Sequence, residues 1–163
     1  MREGKVFIGI GGNLAETPEA IFQCLKLISD EVGIIISASK WFKSLALTKD
    51  GVSQFEPEFI NSAIEVKTEL PPTEIVKSLL SIETRLGRIR IEKWGSRLID
   101  LDLLFYQDQI IDQENCKVPH PEIINRDFVL APLAEIAPNF IHPSHNKTVL
   151  ELLSLVKSKC VIY

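Results

Sequence analysis

The sequence has no uninterrupted apolar run near the roughly 20 residues that cross a bilayer. Its start, Met1-Arg2-Glu3-Gly4-Lys5, leads into a short strand-like segment rather than a signal core. A cytoplasmic chain with no membrane partner is expected. Cysteine is scarce: Cys24, Cys116 and Cys160 form an odd, widely spaced set without a C-x-x-C pair. That pattern fits reduced thiols rather than a disulfide framework or a zinc site. A basic excess is missing as well, with 18 Lys and Arg against 22 Asp and Glu, which argues against a general nucleic-acid binder. Repeats and low-complexity tracts are absent, and 163 residues at 45% hydrophobic content suffice for one core, so residues 1–163 are expected to form a single domain.

What is present is a regular alternation of elements. Lys5 to Ile10 is apolar and β-branched and halts at Gly11-Gly12-Asn13, as a strand ending in a turn does. Thr17 is placed to cap a helix with Pro18 in its first position, and Ile21, Leu25 and Ile28 recur at helical spacing up to Gly33. Ile34 to Leu47 is extended, Thr48 to Pro57 reads as a mobile loop, and Glu58 to Thr68 is extended again. A second helix starts at Leu70-Pro71-Pro72, buries Ile75, Leu79, Ile82 and Leu86, and stops at Gly87. Leu98 to Tyr106 is an apolar strand carrying two aspartates. This order is the split β-α-β pattern of an α+β, ferredoxin-like antiparallel sheet packed with helices, and it makes residues 107–163 a C-terminal elaboration.

Positive charge is concentrated between Arg85 and Arg97, where Arg85, Arg88, Arg90, Lys93 and Arg97 are interrupted only by Glu92. Such focusing suits a small polyanion. Immediately afterwards, Asp100-Leu101-Asp102 lies within a strand, so both carboxylates project to one side with Cα atoms about 6.6 Å apart. Leu101, Leu103 and Phe105 are then expected to pack on the opposite side. On spacing alone two readings of the aspartates stand level: a magnesium-holding pair, or a solvated face pairing with Arg97 or Lys93. The adjoining arginine, able to clamp phosphate bidentately, tilts the balance toward phosphoryl transfer. Gly9-Ile10-Gly11-Gly12-Asn13 has Leu14 where a dinucleotide fingerprint needs its third glycine, so it reads as a turn lining a pocket. His142 and His145 lack a third ligand and read as structural. Phe59 near Asn61 and Phe128 near Arg126 could stack a flat heterocycle and bond its edge, although most phenylalanines are core.

The run Lys93-Trp94-Gly95-Ser96-Arg97-Leu98-Ile99-Asp100-Leu101-Asp102-Leu103-Leu104 resembles the signature of the 6-hydroxymethyl-7,8-dihydropterin pyrophosphokinase family. Supporting matches are Gly11-Gly12-Asn13-Leu14, Phe59-Ile60-Asn61, Val118-Pro119-His120 and Asn125-Arg126-Asp127-Phe128. The resemblance implies a monomeric enzyme that moves diphosphate from ATP to the hydroxymethyl group of the pterin, in folate biosynthesis. It implies that Asp100 and Asp102 hold two Mg2+ ions, that Glu83, Arg97, His120 and Arg126 surround ATP, and that Arg88 and Arg90 belong to a mobile catalytic loop. The pterin is implied to stack between Phe59 and Phe128, with Asn61 and the backbone near Ser44 and Leu47 bonding its edge, Asp100 beside it and Trp94 closing over it.

Three departures from the family pattern stand out. Phe59 replaces a frequent tyrosine, the stretch from Phe42 to Leu47 lacks the family's prolines and terminal glycine, and Asn115-Cys116-Lys117 offers no arginine. The residues alone admit two rival classes. One is a D-x-D sugar-nucleotide transferase or two-metal phosphodiesterase; the other is an RNA-binding module, which lacks its usual aromatic run here.

Overall fold

The computed structural model describes residues 4–12, 17–44, 47–48, 51–52, 59–87, 99–157 and 160–162. The elements are β1 (Gly4–Gly12), α1 (Thr17–Glu31), β2 (Ile34–Ala38), β3 (Phe42–Ser44), β4 (Leu47–Thr48), β5 (Gly51–Val52), β6 (Phe59–Thr68), α2 (Pro72–Arg85) and β7 (Asp100–Tyr106). They continue with β8 (Ile111–Gln113), β9 (Cys116–Val118), α3 (Asp127–Ile136), β10 (Ile141–His142), β11 (Lys147–Thr148), α4 (Val149–Leu155) and β12 (Val161–Ile162).

The main sheet runs β12-β3-β6-β1-β7, with β2 also on β6, and every pairing in it is antiparallel. Placing β1 between β6 and β7 splits each strand-helix-strand unit, which is the expected ferredoxin-like arrangement of an α+β fold. Helices α1 and α2 cover one face. Val6, Ile8 and Ile10 of β1 and Leu101 and Leu103 of β7 meet Ile21, Cys24 and Ile28 of α1 and Ile75, Leu79 and Ile82 of α2 there. The other face is covered by the C-terminal elaboration, where Phe7, Ala63, Leu104 and Phe105 meet Leu130 and Leu133 of α3 and Val149 and Leu152 of α4. Phe140 stacks obliquely on Phe105, with ring centroids 4.7 Å apart.

Four expectations change. The extended stretch 34–47 is broken: β2 and β3 pair with successive parts of β6, and between them Ser39 turns its hydroxyl inward to accept the Ala63 backbone N–H at 2.9 Å. The Ser39 N–H still donates to the Ala63 carbonyl at 2.9 Å, so backbone and side chain together complete the pairing there. In the 48–57 region β4 and β5 pair antiparallel, and residues 49–50 and 53–57 lie outside the described residues. Gly11 and Gly12 belong to β1, paired with Asn61 and Ile60, rather than to a turn.

The fourth change is on β7. Its register slips by one residue against β1, where Phe7 opposes Phe105 but Ile8 opposes Leu103. This bulge transfers Phe105 to the α3 and α4 face, away from Leu101 and Leu103. Helix termini follow the local signals. Gly87, at φ +87°, takes the left-handed conformation that ends α2, and its N–H bonds the Thr84 carbonyl. Thr148 and Glu151 form a reciprocal capping box on α4.

Candidate active site

The site grows from three strands side by side. On the α3 side of the sheet, β1 follows Phe7 with Gly9 and Gly11, β7 follows Leu104 with Asp102 and Asp100, and β6 offers Asn61. Because two successive β1 residues on that side lack side chains, the sheet surface falls away into a cavity. Gly9, Gly11, Phe59, Asn61, Arg126 and Phe128 line it. A second cavity lies where β7, the last strand of the sheet, meets α2 and the β8/β9 hairpin, and is lined by Leu79, Glu83, Cys116, Lys117 and His120. Asp100 and Asp102 line both.

Each candidate has an identifiable support. Asn61 is buried and donates through Nδ2 to the Ser44 hydroxyl at 2.8 Å. Arg126 precedes α3, and its guanidinium carbon stands 5.7 Å from the centroid of the Phe128 ring, within cation–π range. His120 follows the cis Val118-Pro119 bond and is tied to β7 by its N–H donating to the Leu104 carbonyl at 3.0 Å. Its Nδ1 accepts the Glu122 N–H at 3.2 Å, which leaves Nε2 as the proton-bearing nitrogen, 3.9 Å from Asp102 Oδ1. Glu83 is buried beneath the second cavity and accepts the Leu101 N–H at 2.7 Å.

The structure therefore gathers Phe59, Asn61, Arg126 and Phe128 around one cavity and Glu83 and His120 around the other, with the aspartates between. It assigns Arg126, expected near ATP, to the cavity of the aromatic residues. Leu47 is described only as part of the β4/β5 pair, and Arg88, Arg90, Trp94 and Arg97 lie outside the described residues. Arg85, counted in the basic run, is engaged elsewhere: both terminal nitrogens bond Glu31 of α1, at 2.7 and 2.6 Å.

Sequence reasoning missed Lys117 and the α2 residues Val76 and Leu80 as lining of the second cavity. Their only signal was position on the outer flank of an amphipathic helix or in a hairpin, which surface residues share. His142 behaves as expected of a structural residue. It is buried edge-on to Phe105, its Nδ1 accepts the Ser144 N–H, and burial holds its pKa down at about 4.

Fold and site together define a ferredoxin-like α+β domain with two adjoining cavities that share an acidic strand. The model of the family 7,8-dihydro-6-hydroxymethylpterin-pyrophosphokinase (HPPK) matches residues 7–138. The chain is 37% identical over 155 residues to the 2-amino-4-hydroxy-6-hydroxymethyldihydropteridine pyrophosphokinase of Synechocystis sp., covering 94% of this chain and 77% of that one. It is 34% identical to the enzyme of the same name from Haemophilus influenzae, covering 90% and 89%. Among solved structures, Plasmodium falciparum HPPK-DHPS superposes with a TM-score of 0.71 over 93% of this chain and 43% of that longer one. At 17% identity this likeness concerns the fold. The chain belongs to the HPPK family.

Proposed function

We propose that the two cavities receive the two substrates of the family's reaction and that Asp100 and Asp102 stand where they meet. The chain transfers diphosphate from ATP to the hydroxymethyl group of 6-hydroxymethyl-7,8-dihydropterin, a step of folate biosynthesis, releasing AMP. The observation that carries the assignment of the site is that these two carboxylates, and no other acidic side chains among the described residues, line both cavities. The aromatic cavity suits the pterin: Phe59 and Phe128 offer ring faces to a flat bicycle, and Asn61 bonds its edge. The second cavity suits ATP. Val76, Leu79 and Leu80 give an apolar wall for the base, while Lys117 and His120 give N–H donors for phosphate oxygens.

In the reaction the substrate hydroxyl oxygen bonds to the β-phosphorus as the bond from that phosphorus to the α,β-bridging oxygen breaks. AMP leaves with that oxygen, and the hydroxyl proton is released. Two half-buried carboxylates two residues apart fit Mg2+, which binds through one or two carboxylates and takes its remaining ligands from water and phosphates. We assign two ions to the pair. Held by Asp100 and Asp102, such ions would neutralise phosphate charge and lower the pKa of the attacking hydroxyl. His120 directs Nε2–H toward the Asp102 side, placing a donor beside the transferred group. Arg88, Arg90 and Arg97 supply further positive charge, and Trp94 a further aromatic face.

One mixture tests this reading: the protein with MgATP and 6-hydroxymethyl-7,8-dihydropterin, followed by quantification of AMP and ADP. Pterin-dependent AMP is expected. ADP would mean transfer of a single phosphoryl group, and absence of product would overturn the assignment.

A further inference from the structure

A primary amide has two chemically opposite ends of nearly the same size, so what a pocket asparagine offers its ligand depends on which way it is turned. Asn61 is held at one end of its amide and closely packed at the other. Its Nδ2 donates to Ser44 Oγ at 2.8 Å, and both residues are only 7% exposed. Its Oδ1 lies over Gly11, its register partner in β1, so closely that a Cβ built there would stand 3.0 Å from the oxygen. Gly11 and Asn61 both line the aromatic cavity, whereas Ser44 does not. The amino end is therefore engaged behind the cavity wall and the carbonyl end lies along its floor.

We propose that the Ser44 hydroxyl, by accepting from Nδ2, is a positioning group that holds the Asn61 amide with its oxygen toward the cavity, so that the pocket recognises a heterocycle edge bearing N–H donors. This inference rests on the reading of that cavity as the pterin site. Without the hydroxyl, the buried amino group loses its partner, and the amide turns to satisfy it at the expense of the acceptor presented to the ligand. A pocket built around a fixed acceptor discriminates by the cost of leaving that acceptor unpaired.

The test measures dissociation constants for 6-hydroxymethyl-7,8-dihydropterin and for a non-hydrolysable ATP analogue with Mg2+. The proteins are the wild type, Ser44→Ala, Ser44→Thr, Asn61→Ala and the Ser44→Ala/Asn61→Ala double variant. Ser44→Ala is expected to weaken pterin binding about tenfold, the size of one well-formed buried hydrogen bond. Ser44→Thr, which keeps the hydroxyl, should bind within about twofold of wild type, and nucleotide affinity should stay level throughout. The double variant should be no weaker than Asn61→Ala, because Ser44 acts through Asn61. Pterin affinity unchanged in Ser44→Ala, additive losses in the double variant, or a parallel fall in nucleotide affinity would each overturn the inference while leaving the proposed function standing. A wild-type protein that binds nucleotide but no pterin overturns both.

Discussion

Glu83 of α2 accepts a hydrogen bond from the Leu101 backbone nitrogen at 2.7 Å, so a buried carboxylate grips the peptide between Asp100 and Asp102. Among the described residues β7 ends the main sheet, and an N–H on its outer side has no neighbouring strand there to pair with. The helix supplies the acceptor that a further strand would otherwise provide. Glu83→Ala is therefore expected to destabilise the protein by about 1–3 kcal/mol through the unsatisfied N–H, and to lower turnover by loosening the strand that bears both aspartates. Glu83→Gln, which retains an acceptor oxygen, should lose less of each. Chemical unfolding and steady-state AMP release on the two variants distinguish them.

Removing either site carboxylate should act on chemistry and not on folding, because Asp100 and Asp102 are only half-buried while Leu101 and Leu103 anchor the strand. Asp102→Ala is expected to lower turnover on the order of 100-fold or more with its unfolding midpoint close to wild type. Chelation of Mg2+ should mimic it. A fully active variant would remove Asp102 from the metal assignment.

The two cavity-floor glycines should differ. A Cβ at Gly11 meets the Asn61 oxygen at 3.0 Å, whereas at Gly9 the nearest atoms are the terminal methyls of Leu104, at 3.4 Å, which can give way. Gly11→Ala is expected to raise the KM for the pterin several-fold, and Gly9→Ala to change it less. Equal effects would mean that cavity filling, not the amide contact, governs the response.

His142 makes stability depend on pH. Burial, reinforced by the neighbouring His145, lowers its pKa from 6.5 to about 4, so between those values the unfolded chain binds the proton and the folded chain does not. Its stabilising contribution is thus full above about pH 6.5 and declines as pH falls toward 4. Unfolding midpoints at pH 7 and pH 4.5 should show the loss, and His142→Gln should reduce the difference between them.

Elements with strong local causes were legible in the chain. The period of Ile75, Leu79 and Ile82 marked α2, Gly87 marked its end, and alternation around Asp100 and Asp102 put both carboxylates on one side of a strand. The faces beyond Leu103 were not legible. The β7 bulge depends on how Phe7, Phe105 and Phe140 pack between sheet and helices, and strict alternation sends Phe105 the wrong way. The break between β2 and β3 is likewise decided by Ser39 reaching Ala63, a contact between residues 24 apart in sequence.

By itself, then, the sequence determined the kinds of element, their order and the residue types available for phosphate, metal and ring recognition, because each depends on neighbours within a few positions. Only the tertiary structure decided that β7 bulges against β1, that Gly9 and Gly11 leave room beneath Asn61, and that Asp100 and Asp102 border two cavities instead of one. The physical reason is that a cavity and an oriented amide are properties of surfaces brought together from distant parts of the chain. Gly11, Ser44, Asn61 and Asp100 carry no mutual signal until the antiparallel ladders set them side by side.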